Sequence, residues 1–362
     1  MQPEHKGCSQ PITMQRMLNQ DSAEFRAEQI LNLLTLRVSW RKRHCNSACR
    51  HIPEGRLLFR LVAFALMGVG LFALLQSICG RFLAHDLHYL GMDGIQLCGL
   101  SQGRVARFMF HDRVSFGGAL LAIGLLYLWL ERFPLKAGEA WAWWTFLLTG
   151  ISGFGNFLSC LGYGYLDSWH GLASLALLPP YVVGLALTSG LVSQPGSPGF
   201  RPNPVSSIRW RTQLHMGRAL LLATALGLIL GGMTILLIGM TRVFVPQDLR
   251  YMGLGVSDLL AINHRLVPLI AHDRSSFGGA IATCGLLLFC CLWFARPSRS
   301  LWQAVALACS TGFLTAIGVH PVIGYTDFSH LAPAYLGALI FSIGIAVAYK
   351  PMCGLHLSNP PS

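Results

Sequence analysis

His111-Asp112-Arg113-Val114-Ser115-Phe116-Gly117-Gly118-Ala119 recurs as His272-Asp273-Arg274-Ser275-Ser276-Phe277-Gly278-Gly279-Ala280, identical at eight of nine positions and offset by 161. Two further blocks flank it in the same order. Asp86-Leu87, Tyr89 and Gly91 return as Asp248-Leu249, Tyr251 and Gly253, and Gly164-Tyr165, Asp167 and His170 return as Gly324-Tyr325, Asp327 and His330. Three blocks at nearly constant spacing are the signature of an internal duplication. Each copy is therefore one structural unit.

Between the blocks the chain is apolar. Hydrophobic residues make up 53% and charged residues 12% of the 362, and mean hydropathy is +0.51. Soluble domains carry about 25% charged residues, so the composition points to lipid as solvent. A span needs roughly 20 apolar residues. Segments near 57–79, 116–131, 140–162, 171–192, 219–241, 277–295, 301–322 and 331–349 meet that need, four in each copy. The expected fold is an all-α integral membrane protein, eight transmembrane helices arranged as two tandem four-helix bundles. An even number of spans per copy gives both copies the same orientation, with a pseudo-twofold axis along the membrane normal.

The domains follow: a basic tail over 1–56, repeat 1 over 57–192, a Pro/Gly-rich linker over 193–218, repeat 2 over 219–349 and a short tail over 350–362. Ten of the 27 Lys and Arg residues lie at or before the start of the first span, among them Arg56 and Arg60. Basic residues next to a span mark the cytoplasmic side and attract anionic lipid headgroups. Both termini are thus expected in the cytoplasm, in a multi-pass protein of the plasma (inner) membrane. The net charge of +12 is a topology signal of this kind, and nucleic acid is not an expected partner. Residues 14–38 carry a modest amphipathic pattern suited to the membrane surface. Most cysteines are buried in apolar spans. The eleven cysteines form no evident disulfide framework: Cys79 and Cys98 could both face outward and pair, yet the second copy has no matching cysteines, and Cys45 and Cys49 with His44 and His51 resemble half of a metal site.

This topology gathers the repeated polar residues at the outer face. The first copy brings Asp86, His111, Asp112, Arg113, Asp167 and His170, and the second brings Asp248, His272, Asp273, Arg274, Asp327 and His330. Asp112 suits a helix N-terminus, Ser115 and Asp167 suit caps, and Arg113 suits a pairing with Asp86 or Asp167. Gly117-Gly118-Ala119 suits close helix packing in lipid. Caps and ion pairs account less well for the histidines. Imidazole is the commonest metal ligand. One reading pairs His111 with His170, and His272 with His330, as axial ligands of haem, with Arg113 and Arg274 near its propionates. The other uses Asp112, Asp167, Asp273 and Asp327 with the histidines to hold a divalent metal such as zinc, iron or manganese. His85, His88, His264 and His320 lie near the same face but do not repeat.

Eight spans, a duplicated four-helix unit and histidines on helices two, four, six and eight resemble the heme A synthase family over about residues 57–349. The resemblance implies that His111 and His170, and His272 and His330, bind haem, and that the protein oxidises a haem methyl group. It is architectural: Phe108 and Leu269 stand where that family has the Glu of its Glu-x-x-His-Arg pattern, and Asp follows each histidine. A haem- or metal-binding protein, with redox chemistry among its expected activities, is the leading expectation. A transporter or channel between the copies, and a membrane scaffold or assembly factor, are the alternatives.

Overall fold

The computed structural model describes residues 52–158, 165, 167–192 and 212–354. The basic tail with its amphipathic segment and Cys/His group, and most of the linker, lie outside these residues. The described residues are helical, with no strand among them. In chain order they form α1 (Ile52–Ile78), α2 (Ala84–Leu90), α3 (Gly94–Gly99), α4 (Arg104–Leu130), α5 (Ala140–Asn156) and α6 (Ser168–Thr188). The second half forms α7 (Gln213–Met240), α8 (Pro246–Met252), α9 (Val256–Ile262), α10 (Leu266–Phe294), α11 (Arg299–Ile323) and α12 (Phe328–Cys353).

Among the described residues, seven helices are long and apolar enough to cross a membrane: α1, α4, α6, α7, α10, α11 and α12. The eighth expected span, over 140–162, differs. α5 has 17 residues, roughly 25 Å at 1.5 Å per residue, less than the ~30 Å hydrocarbon layer, and residues 159–164 are not described. Outward-facing surfaces are apolar, with Leu61, Phe64, Leu71, Phe72, Leu230, Leu237 and Leu339 all exposed. That is the surface of a multi-pass helical membrane protein.

Two helices sit at the centre. In α4 and α10, 72% and 78% of the apolar window is buried, against 17–28% in the other five. They pack on each other. α4 also packs on α1 and α10 on α7, while α11 of the second half lies on α4 and α5 of the first lies on α10. Each central helix is thus clothed by one helix of its own half and one of the other.

The small residues of the repeated block permit this approach. A Cβ on Gly117 would meet the Gly70 carbonyl oxygen at 2.7 Å, and one on Gly278 would meet the Leu236 amide at 2.3 Å. On the next residues it would meet Thr315 at 1.8 Å from Gly118 and Asn156 at 2.0 Å from Gly279. Lipid tails are as apolar as leucine, so close packing rather than water exclusion holds such helices together.

Both central helices start earlier than expected. α4 begins at Arg104 and α10 at Leu266, so His111 and His272 lie about two turns inside their helices instead of at the ends. Counting apolar residues missed these turns because their polar side chains are paired inside the protein. Ser115, expected as a cap, is buried mid-helix. Asp167 and Asp327 do cap: their Oδ1 atoms accept the amides of His170 and His330, each at 3.1 Å. Cys79 and Cys98 are free and exposed, in keeping with the absence of an evident disulfide framework. At the opposite end, Glu131 is buried and accepts Arg56 and Arg60 at 2.8 Å each, so these two cations have a structural partner.

Candidate functional site

At the His/Asp/Arg end the repeated residues form two networks, each crossing the boundary between the halves. Arg113 on α4 donates through Nη1 to Asp86 at 2.8 Å and through Nε to Asp273 on α10 at 2.9 Å. Arg274 on α10 bonds Asp248 through Nη1, with Nε 3.6 Å from Asp112 on α4. Asp86 also accepts the Tyr165 hydroxyl at 2.6 Å, and Asp248 accepts the Tyr325 hydroxyl at 2.8 Å. Each arginine is therefore held by one carboxylate of its own half and one of the other. The aromatic rings of Phe82 and Phe108 lie under Arg113 and Arg274, 5.4 and 4.9 Å from the guanidinium carbons.

These bonds shape the protonation of the groups in the loops at this end of the bundle. Burial, then the charge of Asp86, drives the Tyr165 phenol well above its ordinary value, and burial with Asp248 does the same to Tyr325. Burial works to raise the Asp167 carboxyl, but hydrogen bonding and charge from His272 and the His170 amide outweigh it and hold it well below the ordinary range. Hydrogen bonds from Ser329 and the His330 amide lower Asp327.

The histidines assemble across the halves as well, which corrects the pairing expected from sequence. His111 lies beside His320 and His330, with ring centroids 4.4 and 6.0 Å away. His272 lies 5.4 Å from His170. The cause is the packing order: α11 and α12 carry the second half's histidines to α4, and α6 carries His170 to α10. A repeat shows which residues correspond but not which copy they face.

His111, His320 and His330 form one compact group whose ligand nitrogens all lie within 4.8 Å of one another. Nε2 of His111 and Nε2 of His320 are 3.0 Å apart, and both residues are buried. His330 is half-buried and stacks on Tyr325 with centroids 4.5 Å apart. Asp112 Oδ1 is 2.8 Å from His111 Nδ1. A carboxylate there favours the tautomer with its proton on Nδ1, which leaves the Nε2 lone pair aimed at His320.

The matching place in the other half is built differently. His272 Nε2 lies 3.6 Å and His85 Nε2 2.9 Å from opposite oxygens of Asp167. His170 also lines an apolar cavity of about 110 Å³ with Phe116, Tyr181 and Asn156. Cys160, which aligns with His320, lies outside the described residues.

The four aspartates expected as ligands are all engaged. Asp112 and Asp273 neutralise arginines, Asp167 and Asp327 cap helices, and Arg113 and Arg274 are bound to carboxylates. His320 was passed over in the sequence because it does not repeat. Tyr165 and Tyr325 stand inside a repeated block, and that recurrence is the signal that identifies them. Compared with family models, curated proteins and solved structures, the chain matches none of them. Fold and site together define a helical, membrane-type protein with a three-histidine cluster, two of its members buried.

Proposed function

We propose that this is an eight-span membrane protein whose outer face binds one divalent transition-metal ion through His111, His320 and His330. On this reading α5 completes its crossing over 140–162, and the two copies are related by a pseudo-twofold axis between α4 and α10. Both termini face the cytoplasm of a cell whose plasma (inner) membrane holds the protein, and anionic lipids meet its basic tail.

The observation that carries the metal assignment is the gathering of three imidazole nitrogens within 4.8 Å. Zinc–imidazole bonds of about 2.0–2.1 Å set tetrahedral ligands roughly 3.3 Å apart, so modest side-chain rotation closes the group. Asp112 on Nδ1 of His111 is the carboxylate–histidine arrangement that orients a metal ligand and raises its basicity. Three protein ligands leave a fourth position for water or a small molecule, as catalytic rather than structural sites do. Imidazole ligands suit zinc, iron, copper or nickel.

Haem fits these residues less well. Two axial imidazoles at about 2.0 Å from an iron would stand roughly 4 Å apart with the macrocycle between them, whereas His111 and His320 touch at 3.0 Å. The arginines offered to propionates are held by aspartates. A pathway between the copies has little to recommend it, since α4 and α10 pack directly at the centre.

Titrating the purified, metal-stripped protein with Co(II) tests the assignment. The expected result is one equivalent bound, with the strong visible absorption of a tetrahedral site. The reading fails if cobalt does not bind stoichiometrically, or if the protein is purified with a Soret band instead.

A further inference from the structure

At the end of the bundle away from the histidines, a cavity of about 570 Å³ opens between the turn after α4 and the turn after α10. Its wall carries Arg132 and Lys136 from the first half and Arg296 from the second, with Trp129, Trp141 and Ser300. The three cations are exposed. Among the described residues, none of the three forms an ion pair.

The neighbouring carboxylates offset only part of this charge. Glu131 is buried and bound by Arg56 and Arg60. Glu139 accepts the indole N–H of Trp141. α5 and α11 both begin at this rim, at Ala140 and Arg299, so their positive N-terminal ends add to the field. The indole of Trp129 donates to Ser300 at 3.3 Å and its ring is buried at the cavity wall; tryptophans at span ends favour the membrane interface.

Three cations against the single carboxylate of Glu139, around a cavity floored by aromatic rings, call for an anion with an apolar attachment. We infer that this cavity is a binding site for a phosphate group, contributed by an anionic phospholipid headgroup whose acyl chains run down the adjoining lipid face. The phosphate sits among Arg132, Lys136 and Arg296, and the glycerol backbone rests on Trp129 and Trp141. The ligand thereby joins the two halves on the side opposite the metal cluster. Basic pockets between transmembrane helices on the cytoplasmic side bind such headgroups, and the proposed orientation puts this one there. The site depends on none of the histidines.

Detergent-solubilised full-length protein is titrated with dihexanoyl phosphatidylglycerol, with dihexanoyl phosphatidylcholine and with inorganic phosphate, following tryptophan fluorescence. Saturable binding of the anionic lipid, absent with the zwitterionic one, is the expected result. The combined variant Arg132→Gln, Lys136→Gln and Arg296→Gln weakens it by at least about tenfold, and Arg296→Gln alone by less. All three side chains are exposed, so the variant is expected to fold, and an unchanged unfolding midpoint verifies it. Inorganic phosphate saturating only at far higher concentration assigns the site to a headgroup. Equal affinity for inorganic phosphate refutes the lipid assignment. Anionic lipid binding that survives the triple substitution overturns the site itself, since the basic tail would then carry it.

Discussion

Arg113 Nε lies 2.9 Å from Asp273 Oδ2, so the arginine of one repeated His-Asp-Arg block is neutralised by the aspartate of the other. The block therefore acts across the centre of the molecule, and each copy completes the charge balance of its twin. With Arg113→Met, Asp86 and Asp273 lose their shared cation while almost fully enclosed. Removing one partner of a buried pair costs about 3–5 kcal/mol, to be read as a lowered unfolding midpoint in detergent. Arg113→Lys recovers only part of it, because a single ammonium cannot reproduce the guanidinium fork. A double-mutant cycle with Asp273→Asn shows coupling of about 1 kcal/mol or more; additivity would break the proposed contact.

Gly118→Val drives a side chain into Thr315, which an added Cβ would already approach to 1.8 Å. Overpacking costs typically 1–3 kcal/mol and sometimes more. The same change at Gly68, which has open space around it, is expected to shift the midpoint by less than about 0.5 kcal/mol. Equal effects at the two glycines would argue against the α4–α11 packing.

The phenols of Tyr165 and Tyr325 contribute an alkaline limit to stability. Their folded pKa values lie above the unfolded value of about 10, because burial and Asp86 or Asp248 disfavour the phenolate. Stability from this source is complete below pH 10 and is lost as pH rises toward the folded values. Tyrosinate absorbance is expected to show Tyr165 and Tyr325 among the residues that ionise only as the protein unfolds. Tyr165→Phe with Tyr325→Phe removes that pair from the titration and lowers stability at neutral pH by about 1–3 kcal/mol for each unpaired carboxylate oxygen.

Asp112→Asn keeps a side chain beside His111 but removes the charge that orients it. Substituting a group that orients a metal ligand lowers metal affinity about 10–100-fold, measurable by competition with a chelating dye. His170→Ala leaves that affinity unchanged, since His170 lies with His272 in the other half's network.

The seven long apolar helices were legible in composition and span length, and the Gly-Gly-Ala stretch correctly marked close helix approach. The residues of the charge networks were legible too, because Asp86, Arg113, Asp248 and Arg274 recur at fixed spacing. What the sequence could not carry was the partner of each. Repetition makes His170 and His330 equivalent, but only packing decides that α12 and not α6 brings its histidine to His111. His320 was hidden for the opposite reason: it belongs to one copy alone, so a search for repeated chemistry passes over it. Apolar counting likewise began α4 and α10 too late, because Asp112 and Arg274 looked like residues for water while their charges are met inside the protein.

Metal content of the purified protein bears most directly on the three-histidine cluster, compared between the native sequence, His320→Ala and His170→Ala. About one equivalent of transition metal is expected in the native protein and in His170→Ala, and loss of that metal in His320→Ala. Undiminished metal in His320→Ala, or none in the native protein after metal loading, would contradict the cross-copy site.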